Sequence, residues 1–96
     1  MDVPLDEFLL ELRKVKLEAK ISECWYGFCI EIVSEKKVLG WVRISLNNKG
    51  HANVTQVTVM DDINASRDLE VTATRYRIPI RRTNKAEREA IANLPY

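Results

Sequence analysis

Six basic side chains crowd the C-terminal part of the chain: Arg75, Arg77, Arg81, Arg82, Lys85 and Arg88. Guanidinium and ammonium groups at that density suit phosphate oxygens or the carboxylates of an acidic partner. The protein has 96 residues and a formal net charge of +1. Residues 1–74 carry nine basic and twelve acidic side chains, whereas residues 75–96 carry six and two. A basic end on a near-neutral body is therefore the main electrostatic feature. The same charges also fit a solvated strand, because Arg75 and Arg77 alternate with Tyr76, Ile78 and Ile80.

The other groups capable of chemistry do not assemble into a reaction centre. Cys24 and Cys29 fall on one predicted strand, five positions apart, which sends them to opposite faces. Their Cα atoms are then about 16 Å apart, too far for a disulfide or a shared metal ion. Both read as small buried hydrophobes. Asp62, Asn64 and Ser66 imitate the start of a calcium-binding loop, but Arg67 stands where glycine is needed and Ala73 where a bidentate glutamate is needed. His51 has no nucleophile placed beside it by sequence. The triplets Glu18-Ala19-Lys20 and Glu35-Lys36-Lys37 match part of a nuclease signature, without the acidic metal ligand expected upstream. Three scattered glycines make no phosphate loop. The expectation is a protein without enzymatic activity, metal or cofactor.

The elements that position these residues follow from periodicity. Leu5, Phe8, Leu9, Leu12, Val15 and Ala19 recur at three- and four-residue spacing after Val3-Pro4, which predicts a helix to about residue 20. Its charged side reads as a solvated face. Leu10 and Leu17 lie off the stripe and suggest a second contact. From Cys24 to Val33 the period becomes two, giving a strand, and Ser34-Glu35-Lys36-Lys37 reads as a polar turn. A second strand covers 38–46, Asn47-Asn48-Lys49-Gly50 reads as a hairpin loop, and a third strand runs over 52–60. A loop over 61–68 leads to a fourth strand at about 69–80. Leu69, Val71 and Ala73 share the parity of Arg75 there, a conflict attributed to a bulge or to burial on both faces. Asn84 and Glu87 suit a capping box, so a last helix is expected, with Ala86, Ala90, Ile91 and Leu94 on its apolar side.

The predicted fold is a single α+β domain, a two-layer sandwich of α-β-β-β-β-α order. It has a four-stranded antiparallel meander and both helices on one face. With Phe28, Ile30, Val42, Ile44, Tyr76, Ile78 and Ile80 turned toward the helices, the uncovered face combines Trp25, Trp41, Arg43, Arg75 and Arg77. Aromatics beside arginine are enriched at protein–protein hot spots, and they also serve single-stranded nucleic acids as stacking platforms.

The function expected from these features is protein binding. The chain reads as a small regulator or inhibitor of the kind found among phage and mobile-element accessory proteins. The alternative is a nucleic-acid-binding module built on residues 75–88. The element order loosely resembles that of double-stranded RNA-binding domains through "RRTNKAEREAIANL", although the lysine pair of that family is missing and a strand is added. No apolar run reaches bilayer-spanning length, and no charged region precedes an apolar core at the N-terminus. No membrane partner is therefore expected, and a cytoplasmic location with reduced thiols is. A homodimer is compatible with the pattern, since an exposed strand edge invites a second copy.

Overall fold

The computed structural model describes residues 3–24, 27–60 and 66–83. A short strand, β1 (Val3–Pro4), runs directly into helix α1 (Leu5–Lys14). Strands β2 (Glu18–Cys24), β3 (Gly27–Ser34), β4 (Lys37–Leu46) and β5 (Ala52–Val59) follow. Helix α2 (Arg67–Arg75) then leads to a short strand, β6 (Ile80–Arg82). The sheet order is β1-β5-β4-β3-β2, and β6 also lies beside β5. The fold is α+β with both helices packed on an antiparallel sheet, as the sequence implies. Phe8 and Leu12 of α1 and Leu69 and Ala73 of α2 share one core with Ile32, Val42, Val57 and Val59.

A four-stranded antiparallel meander is present, and its members are β2 to β5. The segment expected as the fourth strand is mostly helix. Leu69, Thr72, Ala73 and Tyr76 stand at helical spacing, and Leu69, Thr72 and Ala73 are buried. The hydroxyls of Thr72 and Thr74 donate to the carbonyls of Asp68 and Glu70 at 2.8 Å, one helical turn back. That bond satisfies a β-branched polar side chain without unwinding the helix. The parity conflict at 69–73 is thus a change of period from two to 3.6, and no bulge exists there. Helix α2 crosses from β5 to β6, which pairs with β5 in parallel through Val57↔Ile80 and Val59↔Arg82.

The first helix is shorter than its apolar spacing suggested, and β2 begins at Glu18. Both helices end in the same way. Lys16 has φ 62° and Arg77 has φ 57°, in the left-handed region. The amides of Lys16 and Leu17 donate to Arg13 and Leu12, and those of Arg77 and Ile78 donate to Thr74 and Ala73. These paired bonds are the Schellman closure, which usually places glycine where Lys16 and Arg77 stand. The left-handed conformation costs each of them about 1–2 kcal/mol. The reversal buries Leu17 and Ile78, each 5 % exposed. Burial of side chains that size contributes about 1.5–3 kcal/mol, enough to offset the strain. Leu17 is therefore a core residue of this chain, whereas Leu10 stays exposed.

Both expected β-turns are present. Glu35 and Lys36 have φ 50° and 67°, the two positive values that a two-residue hairpin matches to strand twist. Asn47 accepts on Oδ1 from the amides of Lys49 and His51 at 2.9 and 3.0 Å, with Gly50 at φ 80°. The helix expected over 84–94 lies outside the described residues, so the helix–sheet–helix order rests on α1 and α2 instead.

Candidate interaction surface

The platform expected from Trp41, Arg43, Arg75 and Arg77 is not assembled. Trp41 does lie on the face away from α1 and α2, but it is only 7 % exposed. Cys29, Val33 and Thr58 on the same face are buried with it. Leu39, Gly40, Trp41 and Val42 of β4 are consecutively buried, so the middle of the sheet is covered on both sides. The unbroken apolar run Val38-Leu39-Gly40-Trp41-Val42 was the sequence signal for this, since a strand buried on both faces loses its alternation.

Gly40 of β4 stands where the sheet backbone and α2 both come close. A Cβ there would meet the Thr58 carbonyl oxygen at 2.1 Å and Leu69 Cδ2 at 2.9 Å. Glycine thus lets Leu69, in the first turn of α2, seat directly on the sheet.

The arginines are distributed over different parts of the molecule. Arg43 is exposed and follows Trp41 by two residues on the same side of β4. Arg81 is in register with Thr58 and so shares that side. Arg82 points the other way, where its guanidinium pairs with the carboxylate of Glu70 in α2. Arg75 and Arg77 belong to the C-terminal end of α2, in the helix layer. The expectation that Arg75 and Arg77 share a sheet face with the indoles is therefore overturned: the segment is helical, and its arginines sit across the sheet from Trp41. Tyr76, Ile78 and Ile80 do turn inward, Ile78 as a core residue and the other two packed against it. Trp25, Lys85 and Arg88 lie outside the described residues.

Glu11 is the centre of the charge arrangement on the helix layer. Its carboxylate accepts from Lys14 Nζ at 2.8 Å and from Arg75 Nη2 at 3.4 Å. The Lys14 hydrogen bond leads the causes that hold the Glu11 carboxyl below its ordinary range, and partial burial opposes it. Glu11 in turn raises Lys14. Tyr76 stands beside this group, edge-on to Phe8 with ring centroids 6.1 Å apart. Partial burial, followed by the charges of Glu11 and Glu7, pushes its phenol up. The charged side of α1 is thus a bridge to α2 and not only a solvated face. Lysine at i+3 from Glu11 was legible from spacing, but the partner in α2 was not.

These contacts bring the C-terminal ends of the two helices together. Arg13, Lys14, Lys16, Arg75 and Arg77 gather there against two helix termini, each equivalent to roughly half a negative charge. Much of the positive charge offsets those dipoles and Glu11.

The helices also present apolar residues outward. Leu10 is 55 % exposed and Val71 is 49 % exposed, each on the side of its helix away from the core. Sequence reasoning singled out Leu10 but placed Val71 on a strand. With α2 recognised, Val71 falls two residues past Leu69, about 200° around the helix from the buried stripe.

Cys29 is disulfide-bonded and buried. The one other cysteine in the sequence, Cys24, closes β2, the strand antiparallel to Cys29's own. The expectation of reduced thiols and of no disulfide is overturned: it assumed that both cysteines lie on one continuous strand, whereas Cys24 and Cys29 belong to the antiparallel neighbours β2 and β3. Among the described residues no three His, Cys, Asp or Glu side chains cluster to hold a metal ion, and no helix is long and apolar enough to cross a membrane.

In comparisons with known proteins, no family, no curated protein and no solved structure matches this chain.

Proposed function

We propose that this protein is a non-catalytic protein-binding regulator or inhibitor, and that it meets its partner through the outer face of the helix layer. The observation that carries this reading is the placement of exposed Leu10 and Val71 on two adjacent helices, with the Lys14–Glu11–Arg75 group between those helices. Apolar side chains bordered by both signs of charge and by arginine have the composition of a protein contact patch. The sheet face around Trp41 offers less, since its indole is buried.

The nucleic-acid reading loses support at the same point. Arg75 and Arg82 each hold a carboxylate of this chain, and basic groups at helix C-termini face an unfavourable dipole for phosphate.

A photo-crosslinking side chain at position 10 or 71, installed in the native host, tests the reading. A discrete protein adduct is expected from both positions and not from position 49 at the hairpin tip. Leu10→Glu with Val71→Glu should abolish capture of the same partner by the unmodified surface. Capture that persists in the double variant, or adducts that vanish on nuclease treatment, would overturn it.

A further inference from the structure

The sheet buries side chains on the face that α1 and α2 do not cover. Cys29 is 1 % exposed and Trp41 is 7 % exposed, and Val33 and Thr58 beside them are buried as well. Cys29, Val33 and Trp41 stand apart from the core that the helices close. An indole is among the largest side chains, and strand neighbours about 5 Å away shield only its flanks. Burial this complete needs atoms stacked on the face. It is found in one chain by itself, so the covering atoms are the chain's own.

No described helix or strand supplies them. Both helices pack on the opposite face, and β1 and β6 lie in the plane of the sheet beside β5. Residues 25–26 join β2 to β3 next to Gly27, four positions along β3 from the Glu31↔Trp41 pair, about 13 Å away. Residues 61–65 run from Met60 to Ser66, whose hydroxyl donates back to the Met60 carbonyl at 3.0 Å where α2 begins. Residues 1–2 precede β1, which pairs with Asn53 and Val54, toward the other end of β5 from Thr58. Residues 84–96 remain.

The chain leaves the sheet on the matching side. Arg81 stands opposite Thr58 and shares its face, so Thr83, two positions on, returns to it. The ladder continues that far, because the Thr83 amide donates to the Val59 carbonyl at 3.1 Å. Thr83 is 2 % exposed although it follows a short edge strand, and its hydroxyl reaches Met60 Sδ at 3.9 Å. Ala86, Ala90, Ile91 and Leu94 then follow at helical spacing, in step with Thr83. A helix of the eleven residues from Asn84 to Leu94 is about 16 Å long. From β6 over β5 and β4 to β3 is three strand spacings, about 14 Å. Glu87 falls within the stripe too, and this face carries Arg43 and Arg81 beside the buried patch, neither of them without a partner. Opposite charges thus border the apolar contact from its two sides.

We propose that residues 84–96, which lie outside the described residues, dock across the outer face of the sheet over Thr58, Trp41 and Cys29, with Ala86, Ala90, Ile91 and Leu94 against it. The protein then has three layers, and its own C-terminal segment occupies the face that Trp41 would otherwise offer to a partner. An external molecule reaches that face only by displacing the segment. The face is separate from Leu10 and Val71, so the helix-layer reading stands or falls independently.

NMR of the unmodified full chain tests it. NOEs are expected from the Trp41 indole protons to the methyl groups of Ile91 or Leu94, and in a mixture of labelled and unlabelled chains they should stay within one chain. Ile91→Glu with Leu94→Glu, made in a Trp25→Phe background so that Trp41 is the one indole, should shift its emission to the red and raise acrylamide quenching several-fold. The Phe8–Tyr76 ring contact in the helix layer should persist in that variant. Indole NOEs that lead only to residues before 84, or that run only between chains, would overturn the proposal. So would emission and quenching that the double substitution leaves unchanged.

Discussion

Glu11 and Arg75, 64 positions apart in sequence, meet at 3.4 Å where the last turns of the two helices converge. The same carboxylate holds Lys14 at 2.8 Å. Its depressed pKa has a definite sign for stability. A carboxyl lowered in the folded state stabilises the protein above its unfolded pKa, and that contribution is lost as pH falls through the folded value. Glu11→Gln should therefore lower the thermal midpoint slightly at neutral pH, and the difference from the parent should vanish well below the carboxylate range. Thermal unfolding of both proteins across that range checks it. An unchanging difference would show that Glu11 acts through packing and not through charge.

Lys16 and Arg77 close their helices in a conformation that glycine adopts without strain. Lys16→Gly and Arg77→Gly should each stabilise the protein by about 1 kcal/mol, after the greater chain entropy of glycine in the unfolded state is counted. Arg77→Val should do the reverse. Denaturant unfolding at constant slope measures all three.

The path from sequence to these contacts was uneven for physical reasons. Strands β3 to β5 and the Asn47–Gly50 loop were legible because apolar and β-branched residues run in short stretches between polar turns and the turn chemistry is local. Helix α2 was misread because Val71, Thr72, Thr74, Tyr76 and Ile78 favour strands, and only packing on Gly40 and the core overrides that preference. The start of β2 was hidden in the tail of the α1 pattern, since nothing at Lys16 announces a left-handed residue. The arginine-rich stretch was visible as a charge feature, but its partners Glu11 and Glu70 come from other elements. Ion pairs between distant segments leave no period in a sequence.

Trp41 should report on stability before it reports on binding. Its side chain is buried, so Trp41→Ala should cost about 3–5 kcal/mol through lost contacts and the cavity left behind. The measurement is equilibrium unfolding, and a loss near zero would return the indole to the list of surface groups.

The disulfide at Cys29 makes a different prediction, since it constrains the unfolded chain. Cys29→Ser, or treatment with a strong thiol reductant, should lower stability by about 2 kcal/mol. Mass shift on alkylation before and after reduction establishes the thiol state, and free thiols in the untreated protein would sink the prediction.

Gly40 gives the sharpest test of how α2 sits. The Thr58 carbonyl oxygen is 2.1 Å from where a Cβ would stand, and it is backbone in the middle of the sheet, unable to move aside alone. Relief must come from separating β4 from β5 or from lifting Leu69 and its helix. Gly40→Ala should therefore cost about 3 kcal/mol, near the upper end for an added methyl group in a packed interior. Gly50, with nothing within 4 Å of its Cβ position, isolates the backbone term alone, and Gly50→Ala should cost only about 1 kcal/mol. If the two substitutions prove equal, steric exclusion at Gly40 is not what sets the helix on the sheet. A smaller loss at Gly40→Ala in a chain where Leu69→Ala already removes the Cδ2 contact would assign part of the cost to the helix, and an undiminished loss would assign all of it to the strand pair.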